Sequence, residues 1–112
     1  MRLLVSLHIF LLSTGTVVSA VEELELFQVA RNGNASQIRE VIASGTDLSV
    51  KDASGRNALM QSVLYGNQET ALVLLENGID LETKDELGLT PLTLSVRYGD
   101  TEMTRILLKH GA

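Results

Sequence analysis

Gly88-Leu-Thr-Pro-Leu-Thr-Leu-Ser-Val-Arg-Tyr-Gly99 decides how the rest of the chain is read, because the same skeleton recurs 33 residues earlier and again before that. Gly99 is matched by Gly66 and Gly33, Gly111 by Gly78 and Gly45, Asp85 by Asp52, and Gly88 by Gly55. A fixed period of this size marks a repeat architecture, in which each period is one supersecondary unit.

Local chemistry within the stretch says what the unit is. Thr90 can accept a hydrogen bond from the free amides of a helix start, and Pro91 fits the first helical position, where a missing N–H costs nothing. The spacing of Leu92, Ser95 and Val96 then predicts a helix that ends at Gly99, since glycine tolerates the left-handed turn that follows a helix. Asp100 is the predicted cap of a second helix, in which Thr104, Leu107 and Leu108 repeat the spacing until Gly111. The unit is helix, tight turn, helix.

The chain opens with a segment outside this pattern. Met1-Arg2 is a short positive end, Leu3 to Leu12 is almost wholly apolar, and Val18-Ser-Ala20 places small residues where a signal peptidase reads. Residues 1–20 are predicted to be a secretory signal peptide. Ser13, Thr14, Gly15 and Thr16 interrupt the apolar run before it reaches the roughly 18–20 residues that a membrane span needs. No cysteine lies near the cleavage point, which excludes a bacterial lipoprotein anchor.

Cleavage would remove Arg2 from the nine basic residues and leave eight against 14 acidic ones, a formal net charge of −6 over residues 21–112. An acidic domain repels phosphate backbones and anionic lipid, so neither nucleic acid nor, after cleavage, a membrane is an expected partner. The absence of cysteine excludes a disulfide framework and thiolate metal sites. The remaining 92 residues make one small domain, residues 21–112.

Three units follow, at about 22–51, 52–84 and 85–112. Leu26, Leu59 and Leu92 occupy equivalent places in the first helices, as do Ala30, Val63 and Val96. In the second helices the matching sets are Ile38, Ala71 and Thr104; Val41, Leu74 and Leu107; and Ile42, Leu75 and Leu108. These rows are the predicted core. One unit is too thin to bury its own apolar face, so stability must come from stacking neighbours.

With the units aligned, the sequence resembles the ankyrin repeat family over essentially all of residues 22–112. The third unit carries Asp85-x-x-Gly88-x-Thr90-Pro91-Leu92, then Gly99-Asp-x-Glu102 and Leu107-Leu108-x-x-Gly111-Ala112. The second carries Asp52-x-x-Gly55, Gly66-x-x-Glu69 and Leu74-Leu75-Glu-Asn-Gly78-x-Asp80. The implied fold is all-α: an ankyrin-repeat solenoid of about three helix-turn-helix units with short hairpin-like loops. Two departures stand out. Met60 and Thr93 replace the family's usual histidine, and Asn57-Ala58 replaces Thr-Pro, which predicts a weakened helix start that Thr-Pro would restore. The first unit lacks the Gly-x-Thr-Pro opening and starts Glu22-Glu23-Leu-Glu25, as suits an N-terminal cap whose outer face meets water.

Catalytic chemistry is not expected. His110 is the only histidine beyond the signal, and there is no phosphate-binding glycine loop, nucleophile elbow or His-x-x-x-His pair. The Glu22–Glu25 run reads as a solvated helix start favoured by the helix dipole. No cofactor and no metal are predicted, and the chain is read as a non-enzyme.

Surface recognition remains. By the family resemblance, the loops Lys51 to Asn57 and Lys84 to Thr90 project as fingers, and the ends of the first helices line a concave groove. The implied partner-binding residues are Arg31, Leu64, Tyr65, Arg97 and Tyr98 in the groove, with Arg56, Glu86, Leu87 and Leu89 on the fingers. Tyr65 and Tyr98 would form a short aromatic ladder, and Tyr and Arg are the residue types enriched at binding hot spots. The implied role is an exported, periplasmic or secreted protein-interaction module, an accessory or inhibitory (immunity) partner of a periplasmic protein. Alternatives from the same residues are a secreted effector that binds a host protein, or a fragment of a longer ankyrin array.

Overall fold

The structure is a computed structural model that describes residues 16–112, with side chains described from Val21 onward. The first fifteen residues of the predicted signal peptide lie outside the described residues. Among the described residues there are six helices and no strand: α1 (Thr16–Asn32), α2 (Ala35–Ala43), α3 (Ala58–Leu64), α4 (Gln68–Glu76), α5 (Pro91–Arg97) and α6 (Thr101–Lys109). None is long and apolar enough to cross a membrane.

Each helix start after α1 has a side chain that satisfies a free amide. Asn34 Oδ1 accepts from the Gln37 amide at 2.9 Å while Gln37 Oε1 accepts from the Asn34 amide at 2.9 Å, a reciprocal cap on α2. Thr90 and Thr93 make the same reciprocal pair on α5, with Pro91 at its first position as predicted. Asn67 Oδ1 caps α4 through the Thr70 amide, and Asp100 Oδ1 caps α6 through the Met103 amide at 3.0 Å. Because such caps are each worth about 1 kcal/mol, helices of seven to nine residues can be placed by sequence even though none would persist alone.

The helices stack as layers. The first helices run side by side, α1 on α3 and α3 on α5, and α2 and α4 pack behind them. Each second helix lies against its own first helix. Leu26, Ala30, Ile38, Leu59, Ala71, Leu74 and Leu107 are fully buried between these layers, as the repeat rows predict.

The rows fail in the last unit. Val96 and Leu108 are exposed rather than core, and Leu92 and Thr104 are only half-buried. Leu94 and Met103 are buried instead. A residue facing the following unit is buried only where a unit covers it, so Ala30 and Val63 are core while Val96 is surface; in the row of Leu108, Leu75 is buried but Ile42, also a predicted core residue, is half-buried.

Gly33 departs from its counterparts in another way. Gly66 and Gly99 hold positive φ, as the helix-ending reading requires, but Gly33 does not. Its amide donates to the Val29 carbonyl at 2.8 Å, which prolongs α1. A Cβ there would lie 2.6 Å from Val29 Cγ1 and 2.8 Å from Val29 O, so glycine is required at this position by space.

Candidate protein-binding surface

The fingers are built by two aspartates 33 residues apart. Asp52 Oδ1 accepts from the amides of Ser54 and Arg56 at 2.8 and 3.0 Å, and the Asp52 amide donates to the Arg56 carbonyl. Asp85 Oδ1 accepts from Leu87 and Leu89 at 2.9 Å each, and its amide donates to the Leu89 carbonyl. One carboxylate thus closes each loop into a hairpin-like finger without strand pairing.

Neighbouring fingers are then tied together. The Glu86 amide donates to the Ser54 carbonyl at 2.9 Å, and Arg56 Nε donates to Asp85 Oδ2 at 3.2 Å. The Asp85 carboxylate is almost fully buried. Burial pushes its pKa up, but the Leu89 and Leu87 amides and the Arg56 guanidinium outweigh this and hold the carboxyl below the usual carboxylate range. Asp47, on the loop after α2, is also held low, by the Ser49 amide and hydroxyl.

Asn57 corrects the expectation of a weak helix start. It is buried, and its Oδ1 caps α3 through the Met60 amide at 3.0 Å. Its Nδ2 donates to the Asp80 carbonyl at 3.1 Å and to Thr83 Oγ1 at 3.2 Å, on the segment that leads to the next finger. Threonine has one hydroxyl and cannot supply these three bonds.

Tyr65 and Tyr98 occupy the same place at the ends of α3 and α5, with exposures of 58% and 60%. Rings this open are not held in place by burial in the stack. The Arg31 guanidinium carbon stands 5.9 Å from the centre of the Tyr65 ring, within cation–π range. Arg97 is exposed beside Tyr98, and Leu64 is half-buried against the core.

The fingers divide the remaining predicted residues. Glu86 and Leu87 are exposed at the tip of the second finger. Leu89, grouped with them as a contact residue of the finger, is half-buried against the core, because its backbone closes the finger and turns its side chain back onto the helices. Arg56 is engaged by Asp85 and serves finger-to-finger geometry. The residues missed at the sequence level are Asn57 and Asp85. Asp85 had a visible signal in its 33-residue partner Asp52, whereas Asn57 read as a departure from pattern.

No group of His, Cys, Asp and Glu that could hold a metal ion occurs among the described residues. The Nδ1 of His110 lies 2.9 Å from the Ile106 carbonyl, a local contact at the end of α6. The sequence matches the family profile described as ankyrin repeats, three copies, over residues 26–112. A search of curated proteins finds no match.

Proposed function

The chain belongs to the ankyrin repeat family, whose repeats are protein-interaction modules, and from that premise we propose that it binds its partner through Tyr65, Tyr98, Arg31 and Arg97, flanked by Glu86 and Leu87. The observation that carries this reading is the pair of tyrosines at matching helix ends, both more than half exposed. An aromatic ring left in water in two successive units offers apolar area and a hydroxyl donor to a partner at little entropic cost. The role proposed is non-catalytic: an exported accessory or inhibitory partner of a periplasmic protein, made with residues 1–20 as a signal that is removed.

Recognition is tested with a partner captured by residues 21–112. Tyr65→Ala with Tyr98→Ala is expected to weaken that complex by at least about 2 kcal/mol, roughly 30-fold, with helical content retained. Arg39→Ala with Arg105→Ala is the control: both side chains are exposed on second helices, and Arg105 pairs with Glu102. Equal loss from both pairs would remove the concave surface from the account. Export is tested by intact mass: the periplasmic form should begin at Val21, and a chain retaining Met1 in the membrane pellet contradicts it.

A further inference from the structure

Every aspartate beyond the predicted signal is engaged inside the molecule. Asp47 accepts from Ser49, Asp52 from Ser54 and Arg56, Asp80 from Glu82 and Thr83, Asp85 from Leu87 and Leu89, and Asp100 from Met103. The arginines divide differently. Arg56 is paired with Asp85 and Arg105 with Glu102, whereas Arg31 and Arg97 have neither a carboxylate nor a hydrogen-bond acceptor among the described residues. Both stand at ends of first helices, in a chain with more acidic than basic residues, and the fold makes no use of their charge.

Arg31 is also held in place. Its guanidinium carbon lies 5.9 Å from the centre of the Tyr65 ring, and the side chain is half-buried. A guanidinium that rests against a ring keeps the N–H donors of its edge, which match the two oxygens of a carboxylate. Because part of its freedom is already lost in the unbound chain, less is lost when a carboxylate arrives.

The spacing of the two arginines says how the acidic groups must be arranged. Positions 31, 64 and 97 are one period apart near the ends of α1, α3 and α5, which run side by side. Packed helix axes stand roughly 8–10 Å apart, so Arg31 and Arg97 are separated by on the order of 16–20 Å. An extended chain advances about 3.3 Å per residue and covers that gap in about five or six residues.

We infer that this surface takes an extended acidic segment of a protein partner, with two Asp or Glu side chains about five or six residues apart on Arg31 and Arg97 and apolar residues between them on Leu64 and Tyr65. The inference rests on the tyrosine recognition proposed above and adds the chemistry of what is recognised. The exposed Glu86 at the second finger's tip disfavours a path over the finger, by like charge. The negative charge of the whole chain opposes such a segment at a distance, but it is screened beyond about 8 Å at physiological salt, and the arginine contacts act inside that range.

The probe is a synthetic peptide with blocked ends, in which two glutamates stand roughly six positions apart with alternating proline and leucine between them. One companion peptide has glutamine for both glutamates, and another has the glutamates adjacent. Magnetic resonance titration of the isotope-labelled chain should show saturable shifts at the Arg31 and Arg97 Nε–H groups and the Tyr65 amide. Affinity should fall roughly tenfold for the glutamine peptide, and also for the adjacent pair. Arg31→Gln with Arg97→Gln should remove that preference for glutamate, and Arg31→Lys should keep only part of it, because an ammonium keeps the charge without the planar fork. Arg39→Gln makes the same charge change at an exposed arginine of α2 and should have no effect.

The segment and the surface fail separately. If Tyr65→Ala with Tyr98→Ala weakens the captured partner while Arg31→Gln with Arg97→Gln does not, the surface stands and the acidic segment is overturned. If neither pair matters, both fall. No saturable binding of the glutamate peptide, equal binding of the glutamate and glutamine peptides, or an equal loss from Arg39→Gln also overturns the proposal.

Discussion

The two fingers have one construction and two kinds of support. Asp52 and Asp85 each close their loop with the same pair of amide bonds, so up to the tip the fingers are copies. Beyond the tip they diverge. The first leads into α3 through Asn57, which is buried and bonded to Asp80 and Thr83 more than twenty residues away. The second leads into α5 through Thr90 and Thr93, which bond only each other and neighbouring backbone. A cap that also ties the start of its unit to that unit's closing segment locks the middle of the stack. A local cap fixes its own helix and leaves the second finger's tip, Glu86 and Leu87, in solvent. The difference separates a finger that is mainly structural from one that is available for contact.

The largest test of that contrast is at the caps. Asn57→Ala removes the α3 cap and leaves the buried Thr83 hydroxyl and the part-buried Asp80 carbonyl without this donor, for an expected loss of about 3 kcal/mol in urea unfolding. Thr90→Ala removes an exposed cap and should cost about 1 kcal/mol. Asn57→Thr with Ala58→Pro, which family pattern alone would make stabilising, should destabilise as well. Equal costs at 57 and 90 would mean that the bonds to Asp80 and Thr83 contribute nothing.

Next in size is the tie between the fingers. Asp85→Asn keeps a carbonyl oxygen for the Leu87 and Leu89 amides but turns an amide toward Arg56, and should cost about 2 kcal/mol at neutral pH. The pH dependence has a definite sign. A carboxyl whose folded pKa is depressed contributes stability above its unfolded value, near 4, and that contribution is lost as pH falls through the folded pKa. Wild type should therefore weaken between about pH 4 and lower values more steeply than Asp85→Asn. Parallel acid limbs would contradict the depressed value.

Most of the fold was legible because its signals are local and periodic. Thr90-Pro91, Asp100 and the recurring glycines mark helix ends by chemistry that needs no tertiary context. The rows of Leu26 and Leu59, or Val41 and Leu74, needed only the period. What was not legible depends on neighbours. Val96 and Leu108 have the residue type of core but lie on a face of the third unit that none of the described residues covers. Leu87 and Leu89 differ by two residues in one loop, and the closing bond at Leu89 decides which is turned inward. Asn57 looked like a loss because its partners, Asp80 and Thr83, lie in the following linker, which no helix-start pattern includes.

A smaller effect separates the finger tips. Gly55 and Gly88 both hold positive φ, 81° and 79°, so alanine should cost about 1 kcal/mol at either. A Cβ on Gly55 would also stand 3.3 Å from the Glu86 nitrogen and 3.4 Å from Asp85 Cα, whereas one on Gly88 meets nothing within 4 Å. Because those neighbours are backbone that already bonds the first finger to the second, they cannot move aside cheaply. Gly55→Ala should therefore cost more than Gly88→Ala, by an amount on the order of 1 kcal/mol in the same urea series. Identical midpoints would show that the fingers can separate without loss.

The smallest expected change in stability is the most informative about function. Leu87 is 69% exposed at the second finger's tip, and of its backbone and side chain only the amide, held by Asp85 Oδ1, contributes to the loop's shape. Leu87→Ser keeps that amide, so its effect on the urea midpoint should stay within about 0.5 kcal/mol, as for other surface substitutions. Leu89→Ser, two residues on, removes a side chain packed against the core and should destabilise by about 1–2 kcal/mol. If the second finger is a contact element, the order reverses in binding. Leu87→Ser should then weaken the captured partner by roughly tenfold, about 1.4 kcal/mol, while a well-folded Leu89→Ser sample binds nearly as wild type. A Leu87→Ser protein with unchanged affinity would confine recognition to the helix ends that carry Tyr65 and Tyr98, and leave the second finger's exposed tip without a role.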